Sequence, residues 1–283
     1  MSTTLTRPAP APRTGAILLF ILAVIAAACW LGVNFTFPEL RATGIPSTAT
    51  RLLIDAAILA GLWLGLARTQ LNQGARLATW LAIVIPLVLW QIVVWWIALE
   101  GGFRARLGAV PALPIAIILP LLIVLPLLLR SRRIATILDA TPPHWLIGLQ
   151  VYRIFGGIFL VAWAHGELGS VFALPAGTGD VLVGLLALPT AYLLYLAPRE
   201  NRQRAIAWNI LGILDLVTAI TIGFLSSPGP LQLIVQNPPS TLLGTYPTVL
   251  IPAFAVPLSL MLHALSLRQL ARLQRNHTLS RQA

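Results

Sequence analysis

The chain has 283 residues, of which 58% are hydrophobic and only 10% charged, against roughly one-quarter charged in a soluble domain, and its mean hydropathy is +0.86. All 19 basic residues are arginine and the net charge is +11; they lie in short stretches between apolar runs, which excludes a nucleic-acid-binding face and makes the charge a matter of membrane topology. With no lysine there can be no retinal Schiff base, pyridoxal aldimine or Walker-type phosphate lysine, and the single cysteine, Cys29, excludes an internal disulfide or a multi-cysteine metal site.

Residues 1–14, MSTTLTRPAPAPRT, have no apolar period and read as a flexible tail. The first span follows from about 15 to 35. Ala26-Ala27-Ala28-Cys29 loosely matches a lipoprotein cleavage box, but Trp30 and further apolar residues follow directly, so the expectation is a retained helix. Further apolar runs at about 48–67, 77–99, 109–129, 145–165, 176–197, 205–225 and 248–267 are each long enough to cross a hydrocarbon core about 30 Å thick. The expected fold is therefore an all-α polytopic membrane bundle of about eight transmembrane helices, one membrane domain over 15–267 with a basic tail at 268–283.

Arginine tests the count, because cytoplasmic loops are enriched in it. With the N-terminus inside, fourteen arginines fall on the cytoplasmic side (Arg7, Arg13, Arg68, Arg76, Arg130, Arg132, Arg133, Arg199, Arg202, Arg204, Arg268, Arg272, Arg275 and Arg281). Four fall on or near the outer side, Arg41, Arg51, Arg104 and Arg106. Both termini are thus expected in the cytoplasm, and the protein in a bacterial inner membrane, with the lipid bilayer as its partner.

Proline recurs in the fourth span, at Pro111, Pro114, Pro120 and Pro126, where each interior ring removes a backbone hydrogen bond and favours a kink. The uncharged segment 226–247 contains an apolar LQLIV run too short to span, and reads as a loop on the membrane surface or dipping into the bundle. Gly148, Gly156 and Gly157 in the fifth span, with Gly177, Gly179 and Gly184 around the sixth, predict close packing of those two helices. Nine tryptophans, among them Trp95, Trp96, Trp145, Trp163 and Trp208, fall mostly near predicted helix ends, as in an interfacial belt.

Ionisable groups at hydrocarbon depth cost several kcal/mol unless paired or hydrated, so they mark the places to look for function. Arg153 lies about 12 Å into the fifth span and Asp215 about 15 Å into the seventh, both from the cytoplasmic side. Their matched depths predict an ion pair. His165 and Glu167 close the fifth span in WAHGELGS and Asp180 opens the sixth, so the three are expected to meet near the outer surface, where they could relay a proton or hold a divalent cation. His-x-Glu is not a specific metal motif, and a hydrated polar helix end accounts for it; no metal or cofactor is expected. Asp55 follows Arg51 by four residues and is expected to be satisfied along its own helix. His144 and His263, both near predicted cytoplasmic ends, carry no haem signature beyond their presence, and His277 is in the tail.

Gly177-Thr178-Gly179-Asp180 is superficially similar to the Gly-x-Gly-Asp motif of the presenilin and prepilin peptidase families, which would imply an intramembrane aspartyl protease. The similarity covers about ten residues and departs from the pattern twice: Leu182 stands where prepilin peptidases carry a lysine, and the chain has no Tyr-Asp pair. A dyad also needs two carboxylates close enough to share a proton, and Asp215 is expected about 9 Å deeper than Asp180. No catalytic residue is assigned. The wider stretch YRIFGG…FALPAGTGD resembles uncharacterised bacterial multi-pass membrane proteins, a resemblance covering the C-terminal half that implies no activity. The expected function is binding or transport of a small solute or proton through a polar intramembrane site; the alternatives are a structural or partner-binding membrane protein and the protease. The expected charge network is Arg153, Asp180, Asp215, His165 and Glu167.

Overall fold

A computed structural model describes residues 13–104, 112–229 and 232–282, with side chains from Thr14 to Gln274. The tail expected over 1–14 falls almost wholly outside these residues, as do Arg7, Arg106 and Pro111 and the side chains of Arg13, Arg275, His277 and Arg281. The chain is all-α, with no β-strand among the described residues. Among the described residues eight helices are long and apolar enough to cross a membrane: α1 (Thr14–Thr36), α2 (Ile45–Ala67), α3 (Gln73–Leu99), α4 (Ala112–Arg130), α5 (His144–Ala164), α6 (Ser170–Leu196), α7 (Arg202–Ser226) and α8 (Ile251–Gln274). Even the shortest of them reaches about 28 Å at 1.5 Å per residue. Short helices at Pro38–Ala42 and Arg132–Ala140 join α1 to α2 and α4 to α5.

The bundle is built around α6, which packs against α5, α7 and α1, while α8 packs against α7 and α4. Small residues make this possible. A Cβ on Gly184 of α6 would stand 2.5 Å from the backbone nitrogen of Ile154, so α5 and α6 touch backbone to backbone there. Ala23 and Ala27 of α1 bury against the same Ile154. The outer helices present apolar side chains outward, Leu53 of α2 and Leu122 of α4 being 72% and 69% exposed. In a membrane, where lipid tails are as apolar as leucine, such faces need no protein cover.

Two elements differ from expectation, and the α7–α8 connection takes a particular form within it. α6 starts at Ser170, six residues earlier than the sequence reading placed it. Pro-Ala-Gly-Thr-Gly reads as loop by composition, yet Pro175 sits inside the helix, where its ring removes one backbone hydrogen bond, and the small residues are packing surface. α8 continues as helix to Gln282, so the residues read as a basic tail are its last turns. There Arg272 pairs with Asp139, and Arg268 donates to the carbonyls of Leu128 and Ser131 at 2.7 and 3.0 Å. In the α7–α8 connection it is Ser240, Leu243 and Gly244 that bury, whereas Leu233 and Val235 of the LQLIV run are exposed. Gln236 reaches the start of α6, accepting from the Val171 N–H at 3.2 Å, and Ser226 bonds Ser240 at 3.0 Å.

The turn between the Arg132–Ala140 helix and α5 is held by one side chain. Gln269 of α8, buried, donates from Nε2 to the carbonyls of Leu138 and Thr141, both at 2.6 Å. Gln269→Leu leaves both carbonyls without that donor and is expected to cost about 1 to 3 kcal/mol, read as a lowered Tm of the purified protein.

Candidate functional site

The middle of α5 is not α-helical. Residues Gln150–Gly157 form a 3-10 helix, with α-helical turns on either side, although 3-10 runs longer than three or four residues are uncommon. Its three-residue period aligns Gln150, Arg153 and Gly156 on one face, and all three are buried. Its rise of about 2.0 Å per residue also carries Arg153 deeper than an α-helix would, to about 15 Å from the start of α5. Gln150 donates to the Ser259 carbonyl at 3.3 Å, and the Tyr152 hydroxyl bonds Ser259 Oγ at 2.6 Å, tying this segment to α8.

Arg153 is 3% exposed. Its Nε donates to Asp180 Oδ1 at 2.7 Å, Nη2 lies 2.7 Å from the same oxygen, and Nη2 also pairs with Asp215 Oδ2. Nη1 donates to the Gly212 carbonyl at 3.2 Å and faces His263 Nε2 at 3.3 Å. One guanidinium thus ties together α5, α6, α7 and α8. Gly212 is required for this, because a Cβ there would run into the His263 ring and stand 3.0 Å from Arg153 Nη1. Gly179, one residue before Asp180, leaves space that the Asp215 carboxylate fills.

His263 is fully buried and its Nδ1 lies 3.0 Å from Asn209 Oδ1. Asn209 Nδ2 is committed as donor to the Ala205 carbonyl and Ser266 Oγ, at 2.8 and 3.0 Å. The amide oxygen therefore accepts from Nδ1–H, and the Nε2 lone pair is left to accept from Arg153. The Trp208 ring covers the imidazole at 5.0 Å between centroids, and its N–H donates to the Val183 carbonyl at 3.1 Å.

Beside this cluster is a cavity of about 70 Å³, bounded by Arg153, Asp180, Tyr152 and Ser259 at one end and by Ser47, Thr50 and Pro247 toward the start of α2. It has space for a few water molecules or a solute of a few heavy atoms. Arg51 of α2 also lines it, 8% exposed. Its Nη2 donates to the Leu250 carbonyl at 2.8 Å, beside the π-helical turn Ile251–Ala255, and its guanidinium carbon sits 5.1 Å from the centre of the Phe254 ring. Among the described residues no carboxylate lies within ion-pair distance of Arg51.

Of the expected network, Arg153, Asp180 and Asp215 come together, whereas His165 and Glu167 do not join them. Glu167 pairs with Arg41 and His165 Nε2 lies 3.0 Å from the Phe35 carbonyl, both at the end of the bundle where α1 and α5 finish. The reason is the early start of α6: Asp180 is not at its mouth but ten residues, about 15 Å, inside. The same correction removes the depth difference expected between Asp180 and Asp215. Asp55 is corrected too. Its Oδ2 accepts from Gln91 of α3 at 2.5 Å, because Arg51 points instead toward α8.

Sequence reasoning does not single out Asn209, Tyr152 or Ser259, and it gives His263 and Arg51 other places. His263 lies well inside its helix because α8 runs beyond the span that hydropathy predicts, and Trp208, expected in the interfacial belt, is 4% exposed. Asn209 offered a signal: a buried amide within a span needs partners. Among the described residues no group of three or more His, Cys, Asp or Glu side chains is disposed to hold a metal ion.

The fold and this interior define a multi-pass helical membrane protein with a charged cluster at the centre of its bundle. The chain belongs to the family of the domain of unknown function DUF8737, which matches residues 106–271, more than half of its length. That segment carries Arg153, Asp180, Asp215 and His263; Arg51 precedes it. No curated protein and no solved structure matches the chain.

Proposed function

We propose that the protein binds, and moves across a bacterial cytoplasmic membrane, a small solute or proton, using the interior site of Arg153, Asp180 and Asp215. The observation that carries this reading is one of charge. A single guanidinium faces two carboxylates, one negative charge more than it neutralises, at a depth where uncompensated charge is expensive. A proton or a cationic group completes such a site, and the adjoining cavity gives it somewhere to come from. The 3-10 segment of α5 and the π turn of α8 support the same reading, since irregular helix within a membrane is tolerated where it lines a cavity or is buried in protein. The arginine asymmetry supports cytoplasmic placement of both chain ends and of the last turns of α8. The YRIFGG…FALPAGTGD stretch, which holds Arg153 and Asp180, is the signature we assign to the site.

A structural role is the second reading, favoured by the partners that Arg153 finds on each of its nitrogens. An aspartyl protease is disfavoured, because a dyad must share a proton across a water, whereas here Asp180 and Asp215 share an arginine nitrogen. Asp215→Asn separates the readings. It keeps the side-chain shape and leaves Arg153 paired one to one with Asp180, so folding should survive. In proteoliposomes loaded with a pH-reporting dye, proton movement driven by an imposed gradient is expected to fall at least tenfold relative to wild type, with unchanged detergent-solubilised yield and Tm. Wild-type protein that moves neither protons nor small solutes, or a variant that loses folded protein in proportion to activity, overturns transport.

A further inference from the structure

We propose that Arg51 is the recognition residue for an anionic group, and that the ligand of the central cavity is a small organic monocarboxylate. This rests on the reading of the cavity as a solute site. Arg51 is more than nine-tenths buried and lines the cavity, yet only its Nη2 has a hydrogen-bond partner among the described residues, the Leu250 carbonyl at 2.8 Å. A guanidinium carries five N–H donors in a planar fork that matches a carboxylate with two parallel bonds. Carbonyl and aromatic contacts, here Leu250 and Phe254 at 5.1 Å from ring centre to guanidinium carbon, stabilise a cation without neutralising it. Asp55, one turn along α2, accepts from Gln91 and lies beyond ion-pair distance of Arg51, although its charge still acts on the guanidinium.

The two arginines of the cavity are therefore unequal. Asp180 and Asp215 pair with Arg153, whereas among the described residues no carboxylate lies within ion-pair distance of Arg51. Asp180 and Asp215 leave one negative charge in excess around Arg153, which a proton completes, while Arg51, with no acid within ion-pair distance among the described residues, is where an anion gains an ion pair. The walls around it select the rest of the ligand. Ser47, Thr50, Tyr152 and Ser259 offer hydroxyls, while Trp30 and Ile54 offer apolar surface, a mixture suited to a carboxylate with a short aliphatic body. The cavity, at about 70 Å³, limits that body to a few atoms. Arg153 cannot serve in this way, because its donors are already committed to Asp180, Asp215, Gly212 and His263.

The test is saturable binding of radiolabelled acetate to the full-length protein in lipid nanodiscs, with chloride and phosphate as competitors. Wild type is expected to bind acetate, with chloride competing weakly and phosphate, which is larger and more charged, not at all. Arg51→Gln is expected to weaken binding at least tenfold, and Arg51→Lys less, since lysine keeps the charge but loses the fork. Should Arg51→Gln fail to fold, Thr50→Phe, which fills the cavity beside an intact Arg51, should abolish binding. Unchanged acetate binding in Arg51→Gln, or in a folded Thr50→Phe, overturns the proposal. Wild-type protein that moves protons in proteoliposomes but binds no acetate overturns it as well and leaves the transport reading standing; loss of both overturns both.

Discussion

Arg153→Leu is expected to abolish accumulation of folded protein. The substitution strands the Asp180 and Asp215 carboxylates inside the bundle with no cation beside them, and removing one member of a buried ion-pair cluster costs on the order of 3 to 5 kcal/mol. It also strips a side-chain donor from the Gly212 carbonyl and withdraws the partner of His263 Nε2. The effect belongs to charge more than to packing, so it should be reversible by removing the acids. Arg153→Leu combined with Asp180→Asn and Asp215→Asn carries no charge at the centre and should recover most of the folded yield, measured by fluorescence-detected size exclusion and by Tm. A triple variant that folds no better than Arg153→Leu alone means that the arginine acts through its shape and its carbonyl contacts. Recovery of folding without recovery of proton or solute movement is the outcome that a transport site predicts and a purely structural cluster does not.

Gly184→Val is expected to be the most damaging change that leaves every charge in place. The new Cβ would stand 2.5 Å from Ile154 N and 3.1 Å from the Arg153 carbonyl carbon. These are backbone atoms, which cannot swing aside as a side chain can. Overpacking of this kind costs about 1 to 3 kcal/mol, occasionally more, and here it pushes α5 away from α6 one helical turn from Asp180. Tm should therefore fall, and proton movement should fall further than Tm predicts because the Arg153–Asp180 contact opens. Gly61→Ala is the control. A Cβ at Gly61 of α2 meets nothing within 4 Å, and alanine is the better helix former by about 1 kcal/mol, so stability should hold or rise slightly. Equal behaviour of the two variants would mean that the α5–α6 approach does not limit stability.

How much of the site could be read in advance differs residue by residue. Arg153 and Asp215 were legible because each is an ionisable group inside an otherwise apolar run, and a charge at that depth must find a partner whatever the fold. Asp180 was visible but misplaced, since PAGTG carries the composition of a loop and only its packing against Leu160 of α5 and Asp215 of α7 reveals it as helix. His165 and Glu167 looked like companions of Asp180 by proximity along the chain, yet the extra turns of α6 separate them and Arg41 claims Glu167. Arg51 looked like an outer-surface charge that Asp55 would satisfy one turn on. Which way each of those side chains turns depends on α8 and α3, and nothing local records it.

By itself, then, the sequence determined the class: eight apolar runs are long enough to cross a membrane, where backbone groups have to bond within their own segment and so form helices, and the arginine between the runs predicts their orientation. Tertiary structure alone decided the rest. It converted the centre of α5 to a 3-10 helix, drew Asp180 and Asp215 onto one guanidinium, brought His263 and Asn209 beside it, and left Arg51 facing the cavity without an acid. Pairing among buried charges is a competition between helices, settled by which backbones can approach closely, and that is a property of the assembled bundle rather than of any one span.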